Sequence, residues 1–167
     1  MRGRPYILLL LASLLFAACD PAYDINLGIC NSSGHTVILM PPGDSSILNS
    51  GPWHYLNRAG LDMEIEADSC YEFNLSGGVG CASREEAEWW INNILVPDSA
   101  VFVFADGHRL VYYSDDTLTD GSPYNFNSTN YDWSEKYGYT LSGHRNTHPY
   151  YIHIAYTLTQ EQYEQSN

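Results

Sequence analysis

Apolar and polar residues alternate through several short segments of the chain, the period-two pattern of a β-strand with one buried face. The clearest is segment 61–68, where the odd positions are apolar and every even position carries a carboxylate. Segments 25–30 and 150–156 alternate in the same way, and segment 36–40 is a dense apolar run. The pattern predicts four strands here, and for 61–68 one core face and one solvated acidic face.

Turn-forming residues predict how these strands connect. The NSSG sequence at 31–34 favours a hairpin between segments 25–30 and 36–40. Asp106 and Gly107 favour a tight hairpin between the apolar run 100–105, the expected centre of the core, and segment 109–113. The alternation of 61–67 keeps its phase into 71–75, which favours a bend or bulge at Asp68 and Ser69 over a two-residue hairpin.

One substantial helix is predicted to begin after Ser83, because Ser83 and Glu86 form a capping box, and to end at Pro97. Its apolar stripe is Ala87, Trp90, Ile91, Ile94 and Leu95. A long irregular loop is predicted over 115–130, a short strand over 137–141, and a capped C-terminal helix after Thr159. With no β-α-β alternation, these elements predict a mainly β, antiparallel sandwich-like domain with one packed helix and a short C-terminal helix.

The N-terminus has the features of an export signal. Arg2 and Arg4 precede the apolar run 6–16, which is too short for a permanent membrane span, and Ala17 and Ala18 lead into Cys19. This order resembles the lipobox of bacterial lipoproteins, in which a peptidase cleaves before a lipid-modified cysteine. The sequence therefore predicts a signal peptide (1–18), lipidation of Cys19, a tether (19–24) and one domain (25–167), lipid-anchored in the bacterial envelope.

The charge of the processed chain excludes one class of partner. Loss of the two arginines in 1–18 leaves five Lys and Arg against twenty Asp and Glu, a net charge of −15. Such a charge repels phosphate backbones and anionic lipid headgroups, so no nucleic-acid partner is expected.

Three cysteines remain once Cys19 is assigned to lipid: Cys30, Cys70 and Cys81. Export permits a disulfide, and the sequence alone leaves all three pairings open, as well as three free thiols. A bond between Cys70 and Cys81 closes the shortest loop, with a stabilisation of about 3 kcal/mol by chain entropy, and is the candidate disulfide.

Several short sequences together resemble a bacterial family. The lipobox, the early Asn31-Ser32-Ser33, the hairpin sequence VFVFADG at 101–107 and the closing YTLTQEQY at 156–163 resemble small β-rich lipoproteins of Bacteroidetes. That group has no assigned activity, so the resemblance implies a location in the bacterial envelope and a fold. The outer membrane is favoured over the inner, although Asp20 after Cys19 resembles an inner-membrane retention signal of some proteobacteria. It also implies Ser99 and Thr117 as candidate O-glycosylation sites, because each stands in an Asp-Ser-Ala or Asp-Thr-Leu triplet.

No motif predicts a catalytic residue, a metal site or a cofactor. His144, His148 and His153 lack the spacing of a zinc site, and the chain has no Gly-x-Ser-x-Gly elbow. We therefore expect a non-catalytic protein, with a metal-dependent enzyme as a distant alternative.

Aromatic residues are concentrated in the second half of the chain, where ten of the fourteen tyrosines lie from Tyr112 onward. Tyr and Trp offer a large contact area at low entropic cost, and sugar rings stack on their faces. The candidate ligand-binding residues are Tyr112, Tyr124, Tyr131, Trp133, Tyr137 and Tyr139. They predict a binding module for a glycan or an envelope protein; the alternative is a structural accessory subunit that docks through an edge strand.

Overall fold

The computed structural model describes residues 22–41, 53–54, 62–79, 82–139, 143 and 145–167. Its strands are β1 (Ala22–Ser32), β2 (Val37–Leu39), β3 (Met63–Ile65), β4 (Ser69–Val79), β5 (Ser99–Phe104), β6 (Arg109–Tyr113), β7 (Tyr131–Tyr139) and β8 (Arg145–Thr159). Its helices are α1 (Arg84–Trp90), which runs into a π-helical turn (Ile91–Leu95), and α2 (Gln160–Gln165). The predicted mainly β class is confirmed.

The strands form two four-stranded sheets, in the orders β4-β1-β8-β7 and β3-β2-β5-β6. Neighbouring strands are antiparallel except for β1 and β8, which run parallel with Leu27 opposite Ile154. The alternating apolar residues of both sheets share one core, in which Phe102 of β5 faces Tyr156 of β8 with ring centroids 6.1 Å apart. The sandwich therefore buries one face of each sheet.

The predicted hairpin at 31–34 is wrong, because β1 and β2 lie in different sheets. The buried side chain of Asn31 holds this connection: its Nδ2 donates to the carbonyls of His35 (2.7 Å) and Ile65 (3.0 Å), and its Oδ1 accepts from Ser33 N. An NSSG turn is compatible both with a hairpin and with a connection between two sheets, so the local sequence does not distinguish the two connections.

The predicted bend at Asp68 and Ser69 is confirmed. Asp68 has a φ of 58°, Ser69 N donates to Glu66 O, and the chain passes here from β3 in one sheet to β4 in the other. Sandwich corners are commonly made by such a bend between two strands. The residues at 62, 64, 66 and 68 are exposed, as the acidic face predicted.

The helix and the central hairpin form where predicted. Ser83 caps α1 by accepting from Glu86 N, and Ala87 and Ile91 of the predicted stripe are buried. β5 and β6 pair around Gly107, whose φ of 93° suits a tight turn. Thr159 and Gln162 form the predicted capping box of α2.

β7 begins six residues before the predicted strand 137–141. Tyr131 and Trp133 lie opposite Tyr156 and Ile154 of β8 and pack against the core, while Asp132, between them, is exposed. The predicted strand therefore begins too late in the chain.

The disulfide joins Cys30 and Cys70, with Cα atoms 4.0 Å apart, so the candidate pairing of Cys70 with Cys81 is wrong. The reason is the register: Cys30 of β1 lies directly opposite Cys70 of β4. Cys81 lies outside the described residues. Within the described part of the chain, no helix is long and apolar enough to cross a membrane.

Candidate ligand-binding groove

The loop 114–130 folds as a chain of consecutive turns rather than an open loop. Side-chain oxygens of Ser122, Asn125 and Ser128 each accept from the backbone N–H two residues later, at 3.2–3.3 Å. Such Asx- and Ser-type turns replace the hydrogen bonds that a helix or sheet would supply. The loop is therefore a fixed wall and not an unstructured connection.

Buried Gln162 of α2 ties this loop to the sandwich. Its Nε2 donates to Gly121 O (2.7 Å) and to the Tyr156 hydroxyl (2.7 Å), and its Oε1 accepts from Asn130 Nδ2 (2.7 Å). Gly121 has a φ of 79°, which favours glycine at this contact. The C-terminal helix thus positions the loop against the core.

An open groove of about 500 Å³ lies between α1 with its π-helical turn and this loop. Its lining residues are Arg84, Glu88, Asn92, Thr117, Tyr124, Asn125, Phe126 and Asn127. Three come from the helical side and five from the loop, and most carry amide, hydroxyl or charged groups around the Phe126 ring. Asn92 stands in the π-helical turn, a distortion frequent at functional sites.

Arg84 joins the two walls of the groove. Its Nε donates to Glu88 Oε1 (3.0 Å), its Nη2 donates to Phe126 O (3.3 Å), and its guanidinium lies 4.2 Å from the centre of the Trp133 ring. Trp133 in turn contacts Phe126 edge to face, with centroids 6.4 Å apart. The arginine is thus already engaged by an anion, a carbonyl and an aromatic face.

Buried polar atoms without a hydrogen-bond partner are concentrated at this groove. Four such side-chain atoms occur in the described part of the chain: Asn92 Oδ1, Tyr124 OH, Trp133 Nε1 and, on β1, Asn26 Oδ1. Asn92 and Tyr124 line the groove, and Trp133 lies directly beneath Arg84. Each buried polar group without a partner costs about 1–3 kcal/mol of stability, so a cluster of such groups is typical of a site that serves a function.

The hydroxyl of Tyr124 stays protonated near neutral pH. Burial raises the pKa of Tyr124 well above its ordinary value, and the nearby carboxylates of Asp98 and Asp116 raise it further. The buried hydroxyl in the wall of the groove is therefore neutral.

The predicted ligand-binding aromatics do not form one exposed cluster. Tyr112 and Tyr124 are 6% and 3% exposed and belong to the core, so the expectation that they present open faces is wrong. Tyr131 and Trp133 are half-buried, with the Tyr131 hydroxyl donating to Pro123 O. Aromatic rings that alternate along a strand fill the interior of a sandwich as readily as they cover its surface.

The last two candidates lie at the far end of β7. Tyr137 is half-buried at the β7–β8 hairpin, under the guanidinium of Arg145 at 3.5 Å. The side chain of Tyr139 lies outside the described residues. Of the six predicted residues, Tyr124 thus lines the groove, and Trp133 lies behind it, in contact with the lining residues Arg84 and Phe126.

The remaining candidates are separate from one another. Ser99 is half-buried at the start of β5, whereas Thr117 is exposed on the rim of the groove. His148 is exposed, His153 lies on β8 opposite Ser134, and His144 lies outside the described residues. No group of three metal-ligating side chains converges within the described residues.

Sequence reasoning missed Arg84, Glu88 and Asn92. They recur every four residues, the spacing that places side chains in one row along a helix, and this polar row beside the apolar stripe was an available signal. Asn125, Phe126 and Asn127 were part of the loop, but nothing local indicates that they meet the helix.

The alternative role, docking by strand addition, needs an edge strand with unpaired backbone groups. The edge strand β6 has few of them, because its ends are already hydrogen-bonded. The backbone N–H and C=O of Arg109 both bond to Asn167, at 2.7 and 3.1 Å, and the N–H of Tyr113 donates to Asp116 Oδ2 at 2.7 Å. Both ends of this edge therefore already have partners.

Comparison with known proteins gives no relative: no family model, no curated protein and no solved structure matches the chain.

Proposed function

We propose that this chain is a lipid-anchored, non-catalytic binding protein of the bacterial envelope, whose groove between α1 and loop 114–130 takes a neutral glycan. The observation that carries the proposal is the pairing of a half-buried aromatic ring, Phe126, with unpartnered polar atoms of Asn92 and Tyr124 at one groove. Sugars present the same combination, an apolar ring face and a circle of hydroxyls. A ligand hydroxyl that reaches a rotated Asn92 amide would supply its missing partner.

Neutral ligands are favoured because the cation of the groove is already engaged. Arg84 is paired with Glu88 and bonded to Phe126 O, so much of its charge is already compensated before a carboxylate or phosphate could approach. The net charge of −15 after processing also repels acidic ligands. Amides and hydroxyls of Asn92, Asn127 and Thr117 instead match uncharged hydroxyl and acetamido groups.

The small number of carboxylates in the groove favours binding of a glycan over its hydrolysis. Glycosidases generally use two carboxyl groups on opposite sides of the scissile bond. Among the described lining residues, Glu88 is the single carboxylate, and it is paired with Arg84.

Lipid on Cys19 holds the domain that carries the groove at a membrane of the bacterial envelope. The Cys30–Cys70 disulfide supports this proposal only as far as it indicates an oxidising compartment outside the cytoplasm. The outer membrane is the proposed location.

The test is binding of the detergent-solubilised chain to an array of neutral and acidic glycans, beside Asn127→Ala and Asn92→Ala. The control is Asn74→Ala, an exposed asparagine on β4, outside the groove. We expect the parent and the control to retain neutral glycans and both groove variants to lose them. Absence of binding by the parent, or equal loss in the control, would overturn the proposal and favour a protein partner, to be sought by crosslinking in the native envelope.

A further inference from the structure

The β7–β8 hairpin carries a second group of aromatic and cationic side chains, away from the groove. The Lys136 ammonium lies 4.4 Å from the centre of the Tyr151 ring, and Arg145 covers Tyr137. Tyr150, beside them, is 43% exposed. Half of the four lysines and arginines in the described part of the chain are here, on a protein with a large negative charge.

The sheet register places this hairpin at the end of the sandwich from which the N-terminal tether leaves. Asp24 of β1 lies opposite Tyr151 of β8, and Tyr151 lies opposite Lys136 of β7. Two strand spacings separate β1 from β7, about 10 Å. Only four residues lie between Cys19 and Asp24, so the Cα atoms of these two residues are at most about 18 Å apart.

We propose that this hairpin, through Lys136, Arg145 and Tyr150, lies against the phosphate headgroup layer of the membrane that holds the lipid on Cys19. The inference rests on the lipid anchor of the proposed function. Tyrosine rings with adjacent lysine and arginine suit a membrane interface, because the rings enter the headgroup region while the cations meet phosphates.

The contact is confined to this hairpin, because the net charge of −15 repels an anionic surface from the rest of the domain and carboxylates flank the hairpin. Asp24 is exposed in the same row of the sheet, and Glu135 accepts from the Tyr137 hydroxyl. The attraction between the hairpin and the membrane is therefore weak. The short tether compensates, because it holds the hairpin within one or two Debye lengths of the membrane surface, where salt does not fully screen the attraction.

Lys136 makes the proposal measurable, because it is the single lysine of the chain. The acylated chain is placed in vesicles of phosphatidylethanolamine and phosphatidylglycerol, and an impermeant amine reagent is added. Mass spectrometry then reads the modification rate of Lys136 itself. The reference is a long-tether variant with a Gly/Ser insert of about 15 residues after Asp20, whose root-mean-square span is about 20 Å.

We expect Lys136 to react about fivefold more slowly in the native chain than in the long-tether variant, the effect of one cation at an anionic surface. Tyr150→Ser and Arg145→Gln should each restore part of the rate, whereas Tyr113→Ser, on the exposed face of β6, should not.

Equal rates in the native and long-tether chains, with both acylated and bound to vesicles, would overturn the membrane contact. If glycan binding persists in that case, the groove proposal is unaffected. A chain that carries no lipid and does not bind vesicles would overturn the anchor and this contact together.

Discussion

Gln162 Nε2 lies 2.7 Å from the hydroxyl oxygen of Tyr156, at the point where α2, the core and loop 114–130 meet. The amide of Gln162 also reaches Gly121 O, Asn130 Nδ2 and the Tyr112 hydroxyl, so one buried side chain satisfies groups from three parts of the chain: β6, loop 114–130 and β8. The wall of the groove therefore depends on the C-terminal helix.

Replacement of Gln162 by leucine should lower the free energy of unfolding by about 2–4 kcal/mol, because buried hydroxyl, carbonyl and amide groups lose their partner together. Urea denaturation measures this change. Gln160→Leu, at an exposed position of the same helix, is the control and should change stability by less than about 0.5 kcal/mol. Equal effects of the two substitutions would contradict the network.

The Cys30–Cys70 bond closes a loop of 40 residues in the unfolded chain. Its reduction should therefore lower the free energy of unfolding by about 4 kcal/mol. Cys30→Ser in oxidising conditions should have the same effect. A non-reducing digest should give a peptide pair that contains Cys30 and Cys70; recovery of Cys70 joined to Cys81 would refute the observed register.

Lipidation predicts that labelled fatty acid enters the wild-type chain but not Cys19→Ala. Cys81→Ala is the matched control and should be labelled as the wild type is. Equal labelling of wild type and Cys19→Ala would remove the basis for an anchored protein.

The pKa of Asp106 is lowered, chiefly because the Tyr163 hydroxyl donates to its carboxylate at 2.5 Å. A lowered folded-state pKa stabilises the fold above the ordinary Asp range, and that contribution is lost as pH falls through the lowered value. Tyr163→Phe should therefore raise the pKa of Asp106 toward its ordinary value, as measured by carbon-13 titration of the carboxyl group. An unchanged titration would show that the hydrogen bond does not form in solution.

Local signals in the sequence were sufficient for much of the architecture. The alternation that buries Met63 and Ile65, the Ser83 cap and the Asp106-Gly107 turn all depend on neighbours within a few residues, and the structure confirms each. The pairing of one strand with another, in contrast, does not depend on neighbours in the sequence. β1 pairs with β8, more than a hundred residues away, and nothing near Leu27 specifies Ile154.

The groove was only partly predictable for the same reason. The sequence identifies Trp133 and Tyr124 as candidate aromatics, but it does not show whether the ring of a loop tyrosine is exposed or packed. The spacing of Arg84, Glu88 and Asn92 marks a polar helix face, yet its meeting with Phe126 depends on the loop's turns and on Gln162.

The most direct test of the account is a nitrogen-15 NMR titration of the chain with a neutral glycan retained on the array. We expect the side-chain amide signals of Asn92 and Asn127 and the indole N–H signal of Trp133 to shift together and to saturate at one ligand, while the indole signal of exposed Trp89 does not move. Shifts confined to Trp89 or to the β7–β8 hairpin, or no shift of the groove signals at saturation, would contradict it.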